Sequence, residues 1–170
     1  MSPEVRPTGT RFLENLAYLV PGYRGYKDKE RRREEDSRLR SLLLGRLSEI
    51  RGNLVDILAG AAEDPDSVET EPLDDRVEAI GSLSDTIRYA PYGFSGFFDA
   101  GEVAENSLDR ILEVDLLLFE DLDAIEQIVL KAELIGTDQS SMDVFLVHLD
   151  ESTSRFEHHL ILRDKILGNA

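Results

Sequence analysis

The chain has 170 residues and contains no cysteine. This absence excludes disulfides, thiolate nucleophiles, and zinc or iron–sulfur sites that are held by cysteine. The chain also lacks any apolar run near the roughly 20 residues that a membrane-spanning helix requires. Met1 to Thr10 has neither the apolar core nor the small-residue cleavage site of a secretory signal. We therefore expect a cytoplasmic protein.

Positive charge is scarce over most of the chain, whose formal net charge is −16. Residues 1–40 hold ten Lys or Arg against seven Asp or Glu, whereas residues 41–170 hold nine against 28, a net charge of −19. An acidic surface of this size repels nucleic acid and anionic lipid. We therefore expect no nucleic-acid partner, and a membrane surface is a less favoured partner than a protein.

Apolar residues recur at intervals of three and four along most of the chain, which is the spacing of one face of an α-helix. In the clearest example, Leu39, Leu43, Leu47, Ile50 and Leu54 share a face. The sequence therefore predicts an all-α fold, an up-down antiparallel four-helix bundle with one over-long first helix and a short N-terminal helix. Residues 1–9 are predicted to be a flexible arm and residues 10–170 a single domain. The predicted helices are about 10–20, 24–62, 71–90, 102–135 and 138–167.

One stretch of the predicted long helix, Lys27 to Arg38, contains no apolar residue. A helix that is polar on every side either protrudes into solvent or is held by charge pairs. Asp28 and Arg32, and likewise Glu34 and Arg38, are spaced to form such pairs one turn apart. We therefore expect residues 24–40 to be an uncovered half-helix that is available to a partner.

A second unusual stretch, Tyr89 to Gly101, holds five of the twelve aromatic residues and three glycines. It is too irregular for a helix in its middle. One interpretation is a plug over the open end of the core, and the other is an exposed aromatic patch for a partner. The candidate contact residues of the two unusual stretches are Tyr23, Tyr26, Arg31, Arg32, Arg33, Tyr89, Tyr92, Phe94, Phe97 and Phe98.

A short turn at Gly136 predicts that the last two helices form an antiparallel hairpin. With the turn centred on residue 137, facing residues have numbers that sum to about 274, give or take a helical turn. This register places Asp115 opposite His159, and Glu126 opposite His148. These four residues are weak candidates for a metal site, because the Glu-x-x-His motif of carboxylate-bridged metal proteins is absent. We expect simple His–carboxylate pairs at the core edge, and no metal or cofactor.

No catalytic motif supports an enzymatic function. Gly93 and Gly96 lie in an aromatic loop without the strand-to-helix setting of a phosphate-binding loop. Ser152 and Ser154 share a helix with His158, so they cannot converge on it as a nucleophile converges on its base. We therefore expect a non-catalytic protein.

The sequence favours a non-catalytic interaction or scaffold module, which self-associates through the charged half-helix 24–40 and the aromatic loop 89–98. A basic segment on an acidic body is complementary to another copy, which makes a homodimer plausible. The first alternative is a peripheral membrane-surface protein anchored by the amphipathic helix 11–20. The second alternative is a metal or small-molecule binder in the bundle core.

Overall fold

The computed structural model describes residues 8–63, 70–90, 97, 103, 105–132 and 138–168. Over these residues the fold is all-α and contains no strand, which confirms the predicted fold class. Its five helices are α1 (Thr8–Leu19), α2 (Arg32–Glu63), α3 (Glu71–Tyr89), α4 (Glu105–Ala132) and α5 (Gln139–Gly168). Helix α2 packs with α3, where Arg51 donates to the Val77 carbonyl, and α4 packs with α5, where Arg155 and Arg163 meet Asp121 and Asp115. The up-down order of the bundle stays a prediction.

The chain packs as two compact units. Unit 1 comprises Met1–Leu42, Pro91–Phe119 and His158–Ala170, and unit 2 comprises Leu43–Ala90 and Glu120–Glu157. Helices α2, α4 and α5 contribute residues to both units. The prediction of one domain over residues 10–170 stays a prediction.

Unit 2 has an apolar core that the helical periodicity predicts correctly. The five apolar residues on one face of α3 are all buried, and they pack with buried apolar residues of α2, α4 and α5. The core residues are Leu43, Leu47, Ile50, Leu54, Leu73, Val77, Ile80, Leu83, Ile87, Leu122, Ile125, Val129, Phe145, Leu149 and Phe156. Helix α2 passes through Gly45 and Gly52 without a break. Arg76 and Asp150 form a partly exposed pair of this unit at 2.6 Å, whereas Asp121 is buried and pairs with the exposed Arg155.

In unit 1, a turn separates α1 from α2, where the sequence predicts helix from residue 24. Gly22 and Gly25 have φ angles of 76° and 77°, a conformation that glycine adopts at no steric cost and that interrupts a helix. Asp28 then accepts a hydrogen bond from the Glu30 amide, which caps a 3-10 turn at Lys29–Arg31. Helix α2 therefore begins at Arg32, and the predicted start at residue 24 is wrong.

The remaining helix ends lie within a few residues of the predicted ones. Helix α1 begins at Thr8, so residues 8 and 9 belong to a helix and not to the predicted arm. Asp138 caps α5 by accepting hydrogen bonds from the amide and the hydroxyl of Ser141. Within the described parts of the chain, no helix is both long and apolar enough to cross a membrane.

Candidate functional site

Unit 1 buries several charged side chains. Arg32, Glu35, Asp36, Asp115 and Arg163 are each at most 5% exposed to solvent. Charged residues are almost never buried to this degree unless they are paired. This cluster is therefore the most unusual feature among the described residues.

The cluster is buried because its members continue the apolar stripes of their helices. On α2, Arg32, Glu35 and Asp36 precede Leu39 and Leu43 at intervals of three and four residues. A helix turns residues at these intervals to the same face. The three charged residues therefore lie on the same buried face of α2 as the leucines.

The other two charged positions follow the same rule. Asp115 lies three residues after Leu112 on α4, and Arg163 lies three residues after Leu160 on α5. Both leucines are buried. Asp115 and Arg163 are therefore charged members of otherwise apolar helix faces.

Arg163 lies at the centre of the cluster. Its Nε donates to Oδ1 of Asp115 at 2.6 Å, and its Nη2 donates to Oδ1 of Asp36 at 2.6 Å and to the Tyr26 hydroxyl at 3.2 Å. The Tyr26 hydroxyl in turn donates to Oδ2 of Asp115 at 2.7 Å. These four residues, here called the buried network, join the turn after α1 to α2, α4 and α5.

Arg32 and three aromatic rings pack beside the buried network. Arg32 donates from Nε to the Tyr26 carbonyl at 2.7 Å and from Nη1 to the Phe97 carbonyl at 3.2 Å. The Tyr26 ring meets the rings of Tyr23 and Phe97 edge to face, with centroids 5.9 and 6.0 Å apart. Phe97 is fully buried. For this residue, the interpretation of the aromatic loop as a plug is therefore the better one.

The remaining contacts bring the charges of the cluster into balance. Glu35 accepts a hydrogen bond from the Arg24 amide at 3.0 Å, and Arg40 lies 2.6 Å from Oδ2 of Asp36. Three arginines, at positions 32, 40 and 163, therefore face three carboxylates, at positions 35, 36 and 115. A buried cluster that is neutral overall avoids the large cost of an uncompensated charge in a low-dielectric interior.

The electrostatic environment fixes the protonation of the cluster. Burial lowers the pKa of Arg163, but Asp115, Tyr26 and Asp36 beside it outweigh burial and raise that pKa well above its usual value. Burial raises the pKa of Asp115, and Arg163 and Tyr26 oppose part of this increase. Burial, assisted by the charge of Asp115, also raises the pKa of Tyr23 and of Tyr26 well above the usual range. Both tyrosines therefore stay neutral, and Arg163 stays charged.

The arrangement holds segments together more readily than it performs chemistry. Both carboxylate oxygens of Asp115 already accept hydrogen bonds from Arg163 or Tyr26. The hydroxyl of Tyr23 is buried beside Tyr26 without a hydrogen bond of good geometry. Among the described residues, no group of three or more histidines and carboxylates is placed to hold a metal ion.

The contacts described between α4 and α5 lie within one helical turn of the predicted register. Asp115 contacts Arg163, four residues beyond His159, and Asp121 contacts Arg155, two residues beyond its predicted facing position. Glu126 accepts hydrogen bonds from Arg46 of α2 in unit 2. His148 lies on the surface, with its Nδ1 3.8 Å from Glu151 of its own helix.

The predicted contact residues divide into buried and exposed sets. Tyr23, Tyr26, Arg32 and Phe97 come together in the core of unit 1. The expectation that residues 24–40 form an uncovered half-helix is therefore wrong for one face of this segment. The exposed members are Arg31, Arg33 and Tyr89, and Tyr92, Phe94 and Phe98 lie outside the described residues.

The predicted charge pairs within the segment are half correct. Glu34 pairs with Arg38 at 3.1 Å, as expected. Asp28 pairs with Arg31 at 3.4 Å, while Arg32 points to backbone carbonyls of the core. Asp28 caps the 3-10 turn at Lys29–Arg31, and the three-residue repeat of such a turn places Arg31, rather than Arg32, beside it.

Glu35, Asp36 and Arg163 are members of the cluster that the sequence analysis missed. The signal that could have found the first two is the α2 stripe, which reaches residues 36, 35 and 32 when it is continued backward from Leu39. Composition argued against this extension, because a stripe is normally defined by apolar residues alone.

Comparisons with protein-family models, with curated proteins and with solved structures find no match to this chain.

Proposed function

We propose that this protein is a non-catalytic helical interaction module that self-associates through a basic ridge on unit 1. The basic ridge consists of the exposed cations Arg24, Lys27, Lys29, Arg31 and Arg33. Its partner is the acidic surface of unit 2 in a second copy. The observation that carries the proposal is the uneven distribution of charge between the two units.

The difference in charge is large. Unit 1 holds 13 Lys or Arg and 14 Asp or Glu, a net charge of −1, whereas unit 2 holds six and 21, a net charge of −15. Complementary surface charge favours association and sets its orientation more than it sets affinity. A ridge on one copy that meets unit 2 of another is the orientation that these charges favour.

The cluster below the ridge supports the proposal because it fixes the ridge in one conformation. Tyr26 and Arg32 are buried, and their backbone and side-chain hydrogen bonds hold the turn and the start of α2. Lys27, Lys29 and Arg31 therefore face outward from an ordered backbone. A preorganised surface loses less conformational entropy on binding than a mobile one.

The membrane-anchor alternative has less support. The apolar residues of α1 that would enter a lipid surface include Leu16 and Val20, and both are at most 1% exposed in unit 1. Their insertion into a bilayer would require α1 to leave the core. The acidic charge of unit 2 adds repulsion from anionic lipid.

The proposal is tested by measuring molar mass by light scattering at two salt concentrations. At about 0.1 M salt the Debye length is roughly 10 Å, so local contacts act while the net repulsion between copies is partly screened. At about 1 M it is roughly 3 Å. We expect a dimer or larger species at the lower concentration and a monomer at the higher one.

Two double variants, each of which changes the net charge by the same amount, locate the surface. Lys27→Glu with Lys29→Glu reverses two ridge charges, and we expect this variant to be monomeric at both salt concentrations. Arg11→Glu with Arg110→Glu reverses two other exposed cations of unit 1 and should associate like the unaltered protein. A monomeric state of the unaltered protein at both salt concentrations would refute self-association.

A further inference from the structure

The first described helix and the turn after it, residues 8–28, are attached to unit 1 in an unusual way. We name these residues the N-terminal segment. Among the contacts described here, five hydrogen bonds join its turn to α2, α4 and α5, and in each of them the partner on the long helix is an ionisable side chain. Three of the five involve Tyr26. The attachment of the turn therefore converges on one tyrosine.

The apolar attachment of helix α1 itself is small, and most of the buried apolar side chains of the segment lie in the turn. Helix α1 has 12 residues, and Leu16 is fully buried among the side chains described at residues 11–19, whereas Val20, Tyr23 and Tyr26 are buried after the helix end. Isolated helices of this length are marginal in water and depend on tertiary packing. The segment therefore depends on its docking for its structure, and loss of the turn contacts leaves α1 with little support.

The contacts of Tyr26 are also mutually dependent. Its hydroxyl bridges Asp115 and Arg163, and Arg163 also binds Asp36. Hydrogen bonds to charged groups contribute more than neutral ones, and a buried charge that loses one partner is costly. Opening at Tyr26 therefore weakens the contacts of Asp115 and Arg163, so docking of the segment proceeds as one cooperative step.

We propose that the buried network is a latch that holds the N-terminal segment on unit 1, so that the segment opens as a local unit while the apolar core of unit 2 stays closed. This inference concerns the free protein and requires no partner. It predicts a defined opening unit of residues 8–28, whose stability is set by the hydroxyl of Tyr26.

Hydrogen exchange measured by mass spectrometry tests the latch. Tyr26→Phe removes one hydroxyl and keeps the ring that packs against Tyr23 and Phe97. We expect amide exchange in peptides from residues 11–26 to become about tenfold to a hundredfold faster, since opening free energy sets the exchange rate. Exchange in α3 of unit 2 should stay unchanged, and circular dichroism should show unaltered helix content.

Tyr18→Phe is the matched control, because Tyr18 lies in the same segment and is 90% exposed. This variant should exchange like the unaltered protein. Equal acceleration in α3 after Tyr26→Phe, or no acceleration in residues 11–26, would overturn the latch. The measurement is made at about 1 M salt, where association through surface charges is suppressed, so its outcome is separate from that of the proposed self-association.

Discussion

Unit 1 and unit 2 draw on the same three long helices and yet fill their interiors differently. Unit 2 packs apolar stripes against one another, and its ion pairs lie at the edge of that core, partly exposed as with Arg46 and Glu126. Among its described residues, the buried charge is Asp121, which pairs with the exposed Arg155. Unit 1 places Arg163, Asp36 and Asp115 inside, where each has a charged partner. The same helical periodicity therefore produces two kinds of core, depending on which residues occupy the stripe.

The difference shows what each core contributes. Apolar burial stabilises in proportion to area and tolerates apolar substitutions that conserve volume. A buried charge network contributes little net stability, but each wrong pairing leaves an unpaired charge in a low-dielectric interior. For this protein we infer that unit 2 supplies bulk stability and that the buried network of unit 1 selects one arrangement of its segments.

The largest expected effect comes from Arg163→Met. This change leaves Asp36 and Asp115 buried without their shared cation, and we expect a loss of about 3–5 kcal/mol in the free energy of unfolding. Arg46→Met removes the same residue type from a partly exposed pair in unit 2 and should cost about 1 kcal/mol or less. Urea denaturation of both variants measures the contrast. Equal losses of unfolding free energy would show that removing an arginine costs the same in the two units.

A second, smaller effect separates the cost of leaving a buried charge unpaired from the net contribution of the buried network to stability. Adding Asp36→Leu and Asp115→Leu to Arg163→Met removes the three central charges together, although Arg40 loses its ion pair with Asp36. We expect the triple variant to regain about 1–4 kcal/mol over the single variant. We also expect its NMR spectrum to broaden for residues of unit 1, because the specific pairing is lost. A triple variant less stable than Arg163→Met would contradict this account.

Alkaline pH should act on unit 1 through its two buried tyrosines. Burial raises the pKa of Tyr23 and of Tyr26, so the folded state keeps both phenols neutral while the unfolded state ionises near pH 10. Their contribution to the free energy of unfolding is therefore full below about pH 10 and declines as the pH rises further. Tyrosinate absorbance at 295 nm should show at least two tyrosines that titrate together with the loss of helical circular dichroism. Titration of all five tyrosines before unfolding would refute the claim that the folded protein keeps Tyr23 and Tyr26 neutral.

The smallest contrast concerns glycine. Gly52 lies in α2 with open space around its Cα hydrogens, so Gly52→Ala should stabilise unit 2 by about 0.5–1 kcal/mol. Gly25 has a φ of +77°, and an added Cβ would lie 2.8 Å from Cδ1 of Leu13. Gly25→Ala should therefore destabilise unit 1 by about 1–2 kcal/mol. Thermal unfolding of the two variants should show shifts of opposite sign.

Much of the fold could be predicted from periodicity. The stripes of α2 and α3 gave the correct buried residues, because apolar side chains are buried wherever a helix faces a core. The turn at Gly22 and Gly25 was less predictable, since a helix could have continued through residue 24 on propensity alone. Two positive φ angles, and the Asp28 cap that follows them, decide the boundary.

The site was harder to predict, and the reason is physical. Composition alone marked Tyr23, Tyr26, Arg32 and Phe97 as unusual. A surface role was expected for the first three, and for Phe97 it was one of two interpretations. Whether Arg32 lies inside or outside depends on the carbonyls of Tyr26 and Phe97, and the second of these is 65 residues away. Sequence pattern assigns charge to the surface by default.

The sequence by itself determined the helices, their apolar faces and the concentration of negative charge in residues 41–170, because these depend on local spacing and composition. Only the tertiary structure decided which charges are buried. Arg163 meets Asp36 and Tyr26 across separations of 127 and 137 residues, and a buried charge is tolerated only where such distant partners converge. These partners come together only when the turn after α1 packs with α2, α4 and α5, so no single segment determines the site.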